Sequence, residues 1–458
     1  MPAQTTKTAR QIALRTLDQF DRSKKDYAAK ILDKYLPQTT EKQRATDLVL
    51  GCVRNRTAID MLVAKIADCP TQRIPAKIIN IIRVAAYELI YCPQTPEYAV
   101  VNEAVENTKA VSGKKATSFV NAVLRQITRS TQNRQIPLED ADAKKTLPQN
   151  LSTGCQFNIE ILPDPKTAPL DYYTAAFSLP SWLVEEWLTQ LGTQKLKQIC
   201  FASNRHPGLY IRPNTLKTTT KKLTELFAQD DIEFDIVEDT IIRVKNAKAV
   251  TALPGFTQGL FTVQDLAAYQ VLASAKFDPG DKILDLCAAP GTKTTQLAEI
   301  THDKAKIFAT DIDDKRLEKL TQNAQRLQTK SINIFKYRDM QKIAEKNAPF
   351  DTILLDVPCS NTAVLAKRPE VRYRIKKSVP KSLTKTQITL IETAASMLKP
   401  KGTILYSTCS IQNSENAELV TTFISKNPDF TLKYQSLTIP SAETPDHDGG
   451  YFAILTKQ

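Results

Sequence analysis

The chain has little of what builds metal centres, disulfide frameworks or membrane spans. Its three histidines, His206, His302 and His447, stand far apart. A His-based metal site is therefore not expected, and a His-dependent hydrolase is disfavoured. The eight cysteines (52, 69, 92, 155, 200, 287, 359 and 409) contain no C-x-x-C pair, which argues against a zinc ribbon or a disulfide framework. No uninterrupted apolar stretch reaches the ~18 residues of a membrane helix. The opening MPAQTTKTARQ lacks the apolar core of a secretory signal, so a cytoplasmic protein is expected. Neither G-x-G-x-x-G nor a Walker loop is present, which weakens a nicotinamide or nucleoside-triphosphate reading.

What is present is ordinary globular material with an uneven charge. Hydrophobic residues make up 42% and charged residues 24% of 458, enough for a sizeable core and more than one domain. The net charge is +13, and residues 1–130 hold 21 Lys and Arg against 12 Asp and Glu. A basic surplus so placed suits a phosphate-rich partner, because neutralised phosphates release counterions. A solvated basic surface explains it as simply.

Hydrophobic spacing divides the chain into four segments. Residues 1–130 read as an all-α bundle: Ala45, Leu48, Val49, Cys52 and Val53 share one helical face, as do Ile59, Leu62, Val63 and Ile66, and Phe119, Val120, Val123, Leu124 and Ile127. Between 131 and 170 the periodicity dissolves among Pro137, Pro148, Pro163, Pro165 and Pro169, which predicts a linker. Residues 171–260 read as a small α+β unit, with Leu209–Ile211 a strand, LKTTTKKLTELFAQ a helix and FDIVEDTIIRV two strands about a turn. From 261 to 458 the runs KILDLC, KIFATD, INIFKY, DTILLD and GTILYS alternate with helical segments, predicting a doubly wound, Rossmann-like α/β sheet. Ligands of such sheets bind beyond the carboxyl ends of the strands.

The polar residues fall at those ends. The first strand runs into Cys287-Ala288-Ala289-Pro290-Gly291-Thr292-Lys293, small residues and a glycine that let backbone approach a ligand. The second ends at Asp311, placed to accept ribose hydroxyls, and the third runs into Asp339, placed to accept from an adenine amino group. Each aspartate alone would pass for a helix N-cap. Together, without a pyrophosphate loop, they favour S-adenosyl-L-methionine. The fourth strand ends Asp356-Val357-Pro358-Cys359 and the fifth at Cys409. Beside a sulfonium methyl donor, a thiolate adding to C6 of a pyrimidine makes C5 nucleophilic, and Asp356 can assist at the N3 edge. The residues alone leave open which cysteine attacks.

The segments DLCAAPGTKTT, LLDVPCS and YSTCSIQNSEN resemble the motifs of the RsmB/Sun group of RNA cytosine-C5 methyltransferases. LPSWLVEEW, IRPNTLK, FTVQDLAA and HDGGYFAILTK are similar to further segments of that group, whose small subdomain is RRM-like. LVLGCVRNRTAID, RVAAYELIY, VNEAVENTK and SFVNAVLR resemble the NusB RNA-binding bundle. The resemblance spans nearly the whole chain. It implies methyl transfer from S-adenosyl-L-methionine to a cytosine of 16S rRNA by a protein acting without metal or membrane, expected to be a monomer. It puts the nucleophile on Cys409, product release on Cys359, and cofactor contacts on Cys287 to Lys293, Asp311, Asp339 and Asp356. DNA cytosine methyltransferases use the Pro-Cys thiol instead, which keeps Cys359 as the alternative nucleophile. Thr292, Ala363, Leu179, Glu186 and the YRDMQ setting of Asp339 depart from the group's pattern. The competing readings are the same chemistry on tRNA or large-subunit rRNA, and a non-catalytic RNA-binding or antitermination factor.

Overall fold

The computed structural model describes residues 6–23, 26–238, 240–245 and 249–458, so the first five residues of the N-terminal stretch and Asp239 in the FDIVEDTIIRV turn lie outside it. The described chain forms two compact units. One comprises residues up to Arg205 together with Leu365–Arg374; the other comprises His206–Val364 and Ile375–Gln458.

In the first unit the expected apolar faces are core. Ala45, Leu48, Val49, Cys52 and Val53 on helix Lys42–Arg54 are all buried, as are Val120, Val123, Leu124 and Ile127 on helix Lys114–Ser130. Burying one such side chain is worth about 1.5–3 kcal/mol. The buried carboxylate of Glu88 is paired. Glu88 accepts from Arg10 Nη2 at 2.9 Å and from Arg44 Nη2 at 2.8 Å.

The unit does not stop at residue 130. Residues 131–170, expected to be a linker, carry a three-stranded antiparallel sheet: β1 (Thr131–Pro137), β2 (Thr146–Pro148) and β3 (Thr153–Phe157), with β3 central. Leu147, Cys155 and Phe157 are buried in it, with Thr146 and Pro148 of β2 buried beside them. β1 is an edge strand of mostly polar residues and β2 has only three residues, so neither shows the alternation that marks a strand in sequence. Helix Ser181–Asn204, placed by sequence in the α+β segment, belongs to this unit too.

A ten-residue excursion from the catalytic half completes the unit. Arg372, buried, donates through Nη1 to Arg54 O (2.7 Å), Phe177 O (2.9 Å) and Asn204 Oδ1 (2.8 Å), and through Nη2 to Ser203 O (2.9 Å). Arg54 answers with two bonds to Ala366 O.

The second unit holds two sheets. The smaller has the order β5-β6-β4-β7, from β4 (Leu209–Pro213), β5 (Phe234–Val237), β6 (Ile241–Val244) and β7 (Phe261–Val263), all antiparallel. The larger has the order β10-β9-β8-β11-β12-β14-β13. Its strands are β8 (Lys282–Asp285), β9 (Lys306–Ala309), β10 (Ile332–Ile334), β11 (Phe350–Asp356), β12 (Leu398–Thr408), β13 (Phe430–Thr438) and β14 (Gly450–Lys457). β8 to β12 are parallel, as the alternating pattern predicts, whereas β14 runs antiparallel to β12 and to β13. The sheet is therefore mixed. Arg212, in the segment IRPN, braces the helix after β8: its guanidinium donates to both oxygens of buried Glu299 at 2.8 Å and to Thr292 O at 3.1 Å.

Candidate active site

Strand order reverses between β8 and β11, and in a wound sheet the crevice beyond the carboxyl ends at that point is where ligands sit. Both flanks are lined by the residues singled out in sequence.

On the β8 flank the chain turns through Cys287–Pro290 to Gly291, which caps helix Thr292–Ile300. Gly291 has φ +101°, and a Cβ there would lie 2.8 Å from Leu320 Cγ. Only glycine fits. Thr292, a departure from the group's pattern, is the first helical residue, and its carbonyl accepts from Arg212. Asp311 lies just past β9, its Oδ2 accepting from Ala289 N (3.2 Å) and its Oδ1 from Asp313 N (3.0 Å). The N-cap of the following helix is Asp313. Asp311 is thus tied to the glycine turn and does not cap the helix. Asp339 is exposed in a short 3-10 turn after β10 and makes no side-chain cap bond.

Sequence reasoning missed Asp285 as a site residue. It ends β8 and is 1% exposed; Oδ2 accepts from Thr294 Oγ1 at 2.7 Å, while Oδ1 has no hydrogen-bond partner. Burial, helped by repulsion from Asp356, pushes its carboxyl up to about 7. The same burial pushes the neighbouring Cys287 thiol well up, which marks it as a packed thiol. The signal for Asp285 was available: KILD ends on a carboxylate, as β11 does beside it, and β9 is followed two residues on by Asp311.

On the other flank β11 and β12 run parallel in a register that pairs Asp356 with Ser407. Cys359 lies three residues beyond the first and Cys409 two beyond the second. Two adjacent strands therefore deliver both thiols to one place, with Sγ atoms 3.1 Å apart. A disulfide would bring them to about 2.05 Å, so these are two free thiols in contact. Cys409 Sγ also donates to Asn361 Oδ1 at 3.2 Å, and Asn361 Nδ2 donates to Cys359 O at 2.8 Å. The hydrogen bond with Cys409, then burial, raise the Cys359 thiol well above its ordinary value. Asp356 accepts from Lys293 Nζ at 2.8 Å and from Ser407 Oγ at 2.9 Å. Lys293, read with the cofactor turn, thus faces the thiol flank. Ala363, another departure, is buried; its N–H donates to Cys409 O at 3.2 Å and its carbonyl accepts from Gly449 N. Leu179 is buried in the first unit and Glu186 is half-buried there.

The structure thus brings together Cys287 to Lys293, Asp311, Asp356, Cys359 and Cys409 around the strand switch, and leaves Asp339 exposed beyond β10. Among the described residues no cluster of His, Cys, Asp or Glu could hold a metal ion, and no helix is long and apolar enough to cross a membrane.

Comparison with known proteins matches each region. The NusB family model covers residues 7–129, the ferredoxin-like domain of RsmF/B-like methyltransferases covers 179–251, and the 16S rRNA methyltransferase RsmB/F model covers 272–449. The "Probable ribosomal RNA small subunit methyltransferase B" of Synechocystis sp. is 30% identical over 98% of this chain and 96% of its own length. The protein of the same name from Bacillus subtilis is 30% identical over 84% of this chain and 80% of its own. The crystal structure of PH0851 shares the fold, with a TM-score of 0.75 at 22% identity over 98% of this chain and 99% of that one. With its helical bundle, small α+β domain and strand-switch crevice, the chain belongs to the RsmB family of small-subunit ribosomal RNA methyltransferases.

Proposed function

We propose that this chain transfers a methyl group from S-adenosyl-L-methionine to C5 of a cytosine in 16S rRNA, through a covalent bond between Cys409 and C6. The observation that carries the reading is the contact of two free thiols, 3.1 Å apart, beside Asp356 at the ends of adjacent parallel strands.

The donor set at the β8 flank suits the cofactor. Gly291 opens the turn, Asp285 offers a buried carboxylate oxygen without a partner, and Asp311 lies at the second strand end. Cys287 to Lys293, Asp285, Asp311 and Asp356 would hold it, with Asp339 at the margin. When bound, the cofactor supplies an electrophilic methyl group to an activated C5.

The chain's own residues do the activation. The Cys409 thiolate adds to C6, the S–C bond forms, and the C5–C6 electron pair moves into the ring toward N3. Asp356 meets the N3 edge, where the proton of its carboxyl form is given to N3 as charge builds there, and Lys293 contacts the same carboxyl group. After C5 gains the methyl group, water takes the C5 proton, the C5–H electron pair re-forms the C5–C6 double bond, and the C6–S bond breaks to expel the Cys409 thiolate. Cys359, raised by its contact with Cys409 and by burial, keeps its proton and can return it to the departing sulfur. Cys359 is buried and Cys409 half-buried, so Cys409 is the thiol within reach of a base, which favours it as the nucleophile. A retained thiol pair also disfavours a purely RNA-binding role.

The basic bundle is proposed to hold the rRNA, with exposed Lys114, Lys115, Arg125 and Arg129 on helix Lys114–Ser130 as phosphate contacts. Bisulfite sequencing of rRNA and tRNA from a strain lacking the gene tests the substrate. One missing 5-methylcytosine in 16S rRNA is expected, and its loss from tRNA or 23S rRNA instead would overturn that choice.

A further inference from the structure

Among the buried carboxylates of the second unit that the mechanism leaves unused, Glu415 lies beside the thiol turns. Glu415 is 0% exposed and ends a 3-10 turn six residues after Cys409. Its Oε1 accepts from Ser360 N at 2.9 Å and from Gln387 Nε2 at 3.1 Å. Its Oε2 accepts from Ser410 Oγ at 2.6 Å and from the Ser360 hydroxyl. Ser360 directly follows Cys359, and Ser410 directly follows Cys409.

One carboxylate therefore joins the two turns that carry the thiols. The surroundings stiffen the joint. Gln387 Nε2 also donates to Pro358 O at 2.9 Å, Tyr406 OH donates to Glu415 O at 2.7 Å, and the Ser360 and Ser410 hydroxyls lie 3.0 Å apart. All of these donors are neutral. Burying a carboxylate without a bonded cation is costly, and four converging donors are what make it tolerable. A group that served only to fill space would be apolar at less cost.

We propose that Glu415 is the positioning residue of the thiol pair, holding the Cys359 and Cys409 turns so that the two sulfurs meet in the geometry that attack and release require. The inference rests on the thiol chemistry proposed above. Neither strand dictates the meeting by itself, because β11 and β12 end at Asp356 and Thr408 and both sulfurs lie beyond them. Glu415 supplies the constraint past the strand ends. It also faces Cys359 as the charged group of its surroundings, the others being Cys409 and Tyr406, and its charge contributes to holding that thiol up.

The test is single-turnover methyl transfer by the full chain, using 16S rRNA from a strain lacking the gene, with cofactor and RNA dissociation constants measured in parallel. Glu415→Gln should lower the transfer rate at least tenfold while both dissociation constants stay within twofold. It should also move the pH profile of Cys359 alkylation toward lower pH, which a merely structural role would not do. A rate within twofold of the parent, or a loss of rate matched by loss of cofactor binding, overturns the proposal. If Glu415→Gln fails to fold, Ser360→Ala and Ser410→Ala, which each remove one hydroxyl from the carboxylate, must each slow transfer with binding intact; parental rates in both overturn it. Cys409→Ala assayed alongside separates the two claims. Persistent methylation there sinks the thiol chemistry, whereas a dead Cys409→Ala beside a normal Glu415→Gln sinks only the role of Glu415.

Discussion

Glu88 in the helical unit and Asp285 in the catalytic unit are both carboxylates at 1% exposure, and they are treated in opposite ways. Glu88 is gripped by Arg10 and Arg44, so its charge is answered. Asp285 receives one hydroxyl and keeps one oxygen without a partner, and its carboxyl rises to about 7. Burial alone does not mark a functional acid. What separates the two is whether the fold completes the group's bonding or leaves part of it for something else to complete. Glu299, buried against Arg212, falls with Glu88 and braces the site from behind.

The largest expected effect lies at the thiols. Cys409→Ala should lower methyl transfer by at least about a thousandfold, the scale of losing a covalent nucleophile, while cofactor binding by calorimetry survives. Cys359→Ala should trap the adduct, seen as an RNA–protein band on denaturing gels; absence of the band removes its release role.

The next two variants set the buried carboxylates against each other. Glu88→Ala should cost about 3–5 kcal/mol in urea unfolding, because two guanidinium groups lose their shared partner. Asp285→Asn should not destabilise the ligand-free protein at neutral pH, yet should weaken cofactor binding roughly tenfold, the scale of one charge-assisted hydrogen bond. If both variants unfold alike, the contrast is void.

The contrast also has a pH signature. Between the ordinary 3.8 and about 7 the unfolded chain has lost the Asp285 proton while the folded chain keeps it. Folded-state stability from this group therefore falls as pH rises through that window, by about 4 kcal/mol at most, and remains low above it. Urea midpoints of the parent should fall from pH 4 to pH 7 more steeply than those of Asp285→Asn. The smallest effect belongs to the surface. Lys114→Glu with Lys115→Glu should weaken rRNA binding across sequences and reduce the salt slope by about two; an unchanged slope would make that helix a solvated face.

Much of this was legible in the chain because the relevant signals are local. Ala45 to Val53 repeat at helical spacing and are buried together, and every run read as a strand of the large sheet except INIFKY ends in or near a residue of the crevice. The two cysteines could be placed at strand ends, but their contact depends on a register that no single segment encodes. The β1–β3 sheet escaped notice because its strands are short and one is polar at an edge. Glu415 escaped because its four donors come from three separate segments of chain. Asp311 and Asp313 show the same limit in small: two nearby aspartates look alike in sequence, and only the bonds assign the cap to one.

The excursion at Leu365–Arg374 carries a cost in time. Arg372 closes onto the carbonyl of Arg54, 318 residues earlier in the chain. At synthesis rates of roughly 5–20 residues per second, the ribosome works for some tens of seconds between making the two. During that interval the carbonyls of Arg54, Phe177 and Ser203 wait for their donor, and the helical unit exists without its last piece. A growing chain thus holds an unfinished first unit until most of the catalytic sheet's strands have already been made.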